Sequence, residues 1–123
     1  MTKIMLVEDD HTMRSLLKTL LEMEGFEVTF GPGHAEALLE ALREAKPDLL
    51  VMDVHLAGGI SGIDLLDSIR QDEELQPTRV VITSGMNYEE AALAAGADGF
   101  LQKPYMVDDL LDLVHRTLPN TSH

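Results

Sequence analysis

Short apolar runs alternate with amphipathic stretches along the whole chain. Ile4-Met5-Leu6-Val7 is a continuous apolar run stopped by Glu8, Asp9 and Asp10, which predicts a strand buried on both faces. Met13, Leu16, Leu17 and Leu20 then recur at helical spacing and predict one apolar helix face, with Gly25 at a helix end. Val28-Thr29-Phe30 is β-prone and predicts an edge strand. Ala35, Leu38, Leu39 and Leu42 repeat the helical spacing until Pro47 blocks it. Leu49-Leu50-Val51-Met52 is a second buried run and ends at Asp53. A glycine-rich loop, 57–62, follows it. Ile63, Leu66 and Ile69 predict a third helix, and Val80-Val81-Ile82 another buried strand that runs into Thr83-Ser84-Gly85. The stretch 89–95 reads as a short alanine-rich helix ended by Gly96. Phe100-Leu101 reads as a short strand ended by Lys103-Pro104. Met106, Leu110, Val114 and Leu118 mark a last helix, and 119–123 a frayed tail.

This order is (βα)5, an α/β pattern that implies a parallel sheet with helices on both faces. No repeat, low-complexity segment or linker interrupts it, so 1–123 reads as one domain, which is ordinary for 123 residues. No N-terminal signal peptide and no apolar run of membrane-spanning length is visible. Cysteine is absent, which excludes disulfides, thiolate metal sites and cysteine nucleophiles and fits a reducing, cytoplasmic setting. Nine basic residues stand against 22 acidic ones, a net charge of −13. Such a surface repels phosphate backbones and anionic lipid, so neither direct nucleic-acid binding nor membrane binding is expected.

The polar residues that end the buried runs carry the candidate chemistry. Glu8 and Asp9, Asp53, Thr83 and Ser84, and Lys103 each follow a strand, at the sheet edge where open α/β sheets bind ligands. Three carboxylates gathered there raise one another's pKa, and a hard divalent cation with oxygen ligands relieves the repulsion. Mg²⁺ suits that donor set. Lys103 adds a positive charge and Ser84 a hydroxyl, so the site is prepared for a phosphate-bearing substrate. A carboxylate can attack phosphorus, and charge stabilisation with alignment is most of what such a transfer needs. Each residue alone has a plainer explanation: an acid after a strand caps a helix, Ser-Gly makes a turn, Lys-Pro precedes a break.

Val7-Glu8-Asp9-Asp10, Leu50-Val51-Met52-Asp53, Ile82-Thr83-Ser84-Gly85 and Phe100-Leu101-Gln102-Lys103-Pro104 together resemble the receiver domains of two-component response regulators. The resemblance spans nearly the whole chain. It implies a flavodoxin-like (βα)5 three-layer sandwich with strand order 2-1-3-4-5. It also implies a cytoplasmic phosphorylation switch that promotes its own phosphorylation and dephosphorylation rather than turning over an external substrate. Asp53 matches the phosphoacceptor. Glu8 and Asp9 match the Mg²⁺-binding acids, with Asp53 and the carbonyl of His55 completing the site. Ser84, with Thr83 as the neighbouring alternative, matches the switch hydroxyl, Lys103 the conserved lysine before a cis proline, and Phe100 the switch aromatic. The implied partners are a sensor histidine kinase or histidine phosphotransfer protein and a downstream effector, with phosphorylation-dependent dimerisation also open. The short polar end without a linker favours a stand-alone regulator.

Two features depart from the family pattern. The loop after Asp53 has Ala57 where most relatives have proline, and one extra residue before Gly62. The interval from Ser84 to Lys103 is short, which predicts a shortened fourth helix. Competing readings attach to the same residues. Asp53-x-His55-x-x-Gly58 resembles a cobalamin-binding motif with His55 as the cobalt ligand, although there the motif follows the first strand. An Asp nucleophile with Mg²⁺ also resembles the haloacid dehalogenases, but His55 stands where that family has a second acid. A receiver that signals without phosphate is a further reading, against which every key position is filled. His11, His34 and His115 read as a helix-start, a loop and a helix-surface residue.

Overall fold

The computed structural model describes residues 2–118. The tail predicted for 119–123 lies outside the described residues. Five strands, β1 (Lys3–Val7), β2 (Glu27–Phe30), β3 (Leu49–Asp53), β4 (Arg79–Ser84) and β5 (Gly99–Gln102), pair in parallel in the order β2-β1-β3-β4-β5. The helices are α1 (His11–Met23), α2 (Ala35–Ala45), α3 (Gly62–Gln71), α4 (Glu89–Ala94) and α5 (Val107–Thr117). The expected architecture and strand order are therefore observed. No described helix is long and apolar enough to cross a membrane.

Strand alternation divides the core into two layers. Met5, Val7, Leu50, Met52, Val80 and Ile82 face α2, α3 and α4, and pack on Leu38, Leu42, Leu66, Ile69 and Ala92. Ile4, Leu6, Leu49, Val51 and Val81 face α1 and α5, and pack on Leu17, Leu21, Leu110 and Val114. Both faces of the central strands are covered, which is why these strands read as unbroken apolar runs. β2 lies at the edge. Val28 is buried while Thr29 and Phe30 are exposed.

Two helical stripes differ from their sequence reading. On α1 the core residues are Leu17 and Leu21, whereas Leu16 is 42% exposed. Met13 and Leu17 of the predicted stripe do face the core, and the line continues one turn on to Leu21, leaving Leu16 outside it. Met106 caps α5 from outside the helix and is exposed, so the inward face of α5 starts at Leu110. The shortened fourth helix is observed, at six residues, with Ala92 its one buried side chain.

Arg70 ties that short helix down. Its Nε donates to the Gly96 carbonyl at 2.9 Å, and its terminal nitrogens donate to Gln76 O, Thr78 O and Asp98 Oδ2. Asp98 also accepts the Val80 N–H at 2.8 Å. One guanidinium thus fastens α3, the entry to β4 and the turn into β5, using its fixed fork of donors.

Leu66→Ala removes a fully buried side chain and is expected to lower unfolding free energy by about 3 kcal/mol. Leu16→Ala should cost less than about 1 kcal/mol. Urea melts compare the two, and equal losses would restore the original stripe.

Candidate functional site

The carboxyl ends of β1, β3, β4 and β5 point to one edge, where the chain order reverses between β1 and β3. β1 delivers Glu8 and Asp9, β3 ends on Asp53, β4 ends on Thr83 and Ser84, and β5 leads into Lys103. Gly62 lets α3 start hard against this edge. A Cβ there would strike the Asp53 carbonyl oxygen and lie 3.2 Å from Val54 Cα, so only glycine fits.

Lys103 holds the centre. Its Nζ lies 2.8 Å from Asp53 Oδ2 and 3.4 Å from Glu8 Oε1. The other Asp53 oxygen accepts the His55 N–H at 2.9 Å. Glu8 Oε2 accepts the Asp10 N–H, which leaves Glu8 only 7% exposed in its side chain. The lysine backbone is fixed as well. Its N–H donates to the Ser84 carbonyl at 2.7 Å, and the following Lys103–Pro104 bond is cis, as the resemblance implied. Burial disfavours the Lys103 charge, but the hydrogen bond and charge of Asp53, with the charge of Glu8, outweigh it and hold the ammonium pKa above the ordinary lysine value. The Tyr105 phenol beside this cluster is also raised, by burial and by the Glu8 carboxylate.

Asp9, Glu8 and Asp53 line one cleft of about 410 Å³, together with His55, Leu56, Gly33 and Gly85. Among the described residues, however, no three of His, Asp or Glu form a ready-made metal-chelating group. Lys103 bridges two of the three carboxylates, Glu8 and Asp53. The donor chemistry still fits a hard divalent cation, since the acidic side chains lining the cleft offer only oxygen.

Asp10, the third acid of the run, has a different task. Its side chain caps α1 by accepting the Met13 N–H at 3.0 Å. Ser84 is fully buried, and its hydroxyl accepts the Met86 N–H at 3.2 Å. Thr83, not Ser84, is the direct register partner of Asp53, and its carbonyl accepts the Val54 N–H. Phe100 lies opposite Ile82 on β5, half-buried against the layer that holds α4. The remaining histidines lie where the sequence placed them. His11 opens α1, His34 precedes α2, and His115 sits on the α5 surface, 2.8 Å from Glu24.

Sequence reasoning missed Tyr88. Its ring stands edge-on to His55, with centroids 6.2 Å apart. Only its position four residues beyond Ser84 hinted at proximity to the site.

The sequence pattern of the response regulator receiver domain matches residues 4–115. The chemotaxis protein CheY of Bacillus subtilis is 31% identical over 119 residues, covering 94% of this chain and 97% of that protein. The transcriptional regulatory protein CpxR of Escherichia coli is 37% identical over 124 residues, covering 100% of this chain but 51% of that protein. Among solved structures, the chemotaxis response regulator CheY4 of Vibrio cholerae superposes with a TM-score of 0.82 at 26% identity, covering 96% of this chain and 99% of that one.

The Lys103–Asp53 pair sets the pH behaviour of the site. A raised lysine pKa contributes stability that is fully present at neutral pH and is lost as pH rises through that raised value. Asp53→Asn removes the main partner, so the Lys103 pKa is expected to fall. NMR titration of the lysine Cε resonance measures this. An unchanged titration would show that the pair does not hold the charge.

Proposed function

The chain belongs to the response regulator receiver domain family, and from that premise we propose that it is a switch that takes a phosphoryl group on Asp53 with Mg²⁺. The observation that carries the reading is the Lys103 ammonium within 2.8 Å of Asp53 and 3.4 Å of Glu8, at the ligand-binding edge of the sheet. Family membership displaces the cobalamin-module and dehalogenase readings of the Asp53–Gly58 stretch.

An electron pair of Asp53 attacks phosphorus, an O–P bond forms, and the P–N bond to a donor imidazole breaks. The product is an acyl phosphate, and the donor leaves as neutral histidine after taking a proton. Asp53 stands at the tip of a rigid central strand, so its carboxylate is aligned without a search. Lys103 faces the incoming phosphoryl oxygens and compensates their charge. Glu8, Asp9 and Asp53 with the His55 carbonyl are the groups that would hold Mg²⁺, which when bound supplies charge stabilisation to the same oxygens. The His55 N–H, already directed at Asp53 Oδ1, is a further donor for them.

Ser84 is the proposed switch hydroxyl. It leaves its contact with the Met86 N–H for a phosphoryl oxygen, and Phe100 follows into the space beside β4. The phosphoryl donor is a histidine kinase or histidine phosphotransfer protein, and the readout is an effector that recognises the changed surface, self-association included. One domain over 1–123 carries this cycle.

Acetyl phosphate with Mg²⁺ is expected to label the protein once, and Asp53→Asn to reduce incorporation to background in an acid-stable gel assay. Labelling that persists in Asp53→Asn would move the acceptor elsewhere. Asp9 and Asp10 separate by role. Asp9→Ala should weaken Mg²⁺ dependence strongly with little loss of stability. Asp10→Ala should retain it and cost about 1 kcal/mol of stability through the lost helix cap. Equal effects on Mg²⁺ dependence would undo the alignment of the acidic run.

A further inference from the structure

The glycine-rich loop after β3 is a small hairpin. His55 and Ser61 form an antiparallel bridge, and the Leu56 N–H donates to the Ile60 carbonyl at 3.0 Å. Gly58 and Gly59 turn the tip with φ of 77° and 75°, a conformation that residues with a Cβ adopt poorly. Its tip is tied to the β2–α2 connection by the Ala57 N–H to the Gly33 carbonyl. The return arm presents Ile60, a β-branched apolar residue, 41% exposed.

Beside Ile60 lies a cleft of about 230 Å³, walled by Val54, Leu56, Ile60 and Ile63 and by the rings of His55 and Tyr88. It belongs to the groove between α3 and α4. Arg70 reaches Gly96 from α3, so that side of α3 faces α4. Asp67 and Ile63 stand about one and two turns before Arg70 on the same side. Beyond the cleft's own lining, acids flank it on both helices. Asp67 is exposed on α3, and Glu89 and Glu90 are exposed on the first turn of α4. An apolar floor between acidic banks favours a ligand with an apolar anchor and basic flanks. A second copy of a chain with net charge −13 is disfavoured there.

The cleft also shares a wall with the acidic cleft: His55 and Leu56 line both. The two residues at its mouth are wired to the two groups a phosphoryl oxygen would recruit. The His55 N–H is bonded to Asp53 Oδ1. Tyr88 is bonded through its N–H to the Met86 carbonyl, and the Met86 N–H is bonded to Ser84 Oγ. We propose that the α3–α4 cleft is a docking site for a basic segment of a partner protein carrying an apolar side chain, and that modification of Asp53 opens it by separating His55 from Tyr88. The coupling rests on the phosphoacceptor reading of Asp53.

The chain has two tyrosines, Tyr88 at this cleft and Tyr105 at the Lys103 side of the sheet edge. Incorporated 3-fluorotyrosine therefore gives one reporter and one internal control by fluorine NMR. The probe is a synthetic amphipathic peptide of lysine and leucine with one central phenylalanine. The expected result is a saturable shift of the Tyr88 signal with Tyr105 unmoved, and about fivefold tighter binding after beryllofluoride treatment with Mg²⁺. Ile60→Ser should weaken binding about tenfold, and Asp67→Lys similarly, with acetyl phosphate labelling retained in both. A Tyr105 shift in place of Tyr88, equal binding of the peptide with glutamate for lysine, or unchanged affinity in both variants would overturn the docking site. So would a Tyr88 shift that depends on protein concentration without peptide, which would mark a second copy as the occupant. Labelled Asp53 with no beryllofluoride effect on affinity overturns the coupling alone. Absence of labelling overturns the phosphoacceptor reading and the coupling with it.

Discussion

The Lys103 ammonium between Asp53 and Glu8 is the contact on which the carboxyl edge of the sheet depends. It joins the last strand to the first and third across 95 and 50 residues of sequence. Without it, a buried-side acid and a strand-end acid would face each other across a cleft with no counter-charge, in a molecule already at −13. Because the lysine N–H is also bonded to Ser84, the same residue fixes how the ends of β4 and β5 lie against each other. Charge balance and strand geometry are therefore one constraint here.

That constraint explains the distribution of tasks among neighbouring acids. Glu8 is drawn in toward Lys103, Asp9 lines the open cleft, and Asp10 turns away to cap α1. Glu8 and Asp9 share the cleft, while Asp10 is engaged by the first turn of α1. Placing one on a helix cap puts its charge beside the positive end of a helix dipole, where it is stabilising.

The opposite end of the groove shows how a shortened α4 is kept in place. Six residues with a single buried alanine contribute little packing. Arg70 and Asp98 replace part of that packing with directed hydrogen bonds to backbone carbonyls and to the Val80 N–H. These bonds lie at the carboxyl-terminal end of α4, whereas Tyr88 stands at its amino-terminal end. The proposed docking cleft lies at that amino-terminal end. The hairpin after Asp53 forms its other bank, so both departures from the usual family pattern border the same groove.

The central strand runs β1, β3 and β4 were legible along the chain, because strands buried on both faces need apolar residues at nearly every position. Strand ends, the candidate acids, the serine and the lysine followed from where those runs stop, and the short fourth helix from the brief interval between Ser84 and Lys103. Local pattern could not tell Leu21 from Leu16 as the inner residue of α1, nor place Met106 outside the last helix. Those outcomes turn on the exact rotation of each helix against the sheet, and several apolar residues compete for the same stripe. The Glu8–Lys103 contact was equally hidden, since it is an ion pair between residues 95 apart in sequence. The His55–Tyr88 contact joins two loops that share no pattern at all. Sequence by itself determined the alternation, the layers and which groups reach the ligand edge, since burial demands apolar side chains locally. Only the tertiary structure decided which acid meets the lysine and which loop meets which, since those contacts are set by distances between segments that no local periodicity encodes.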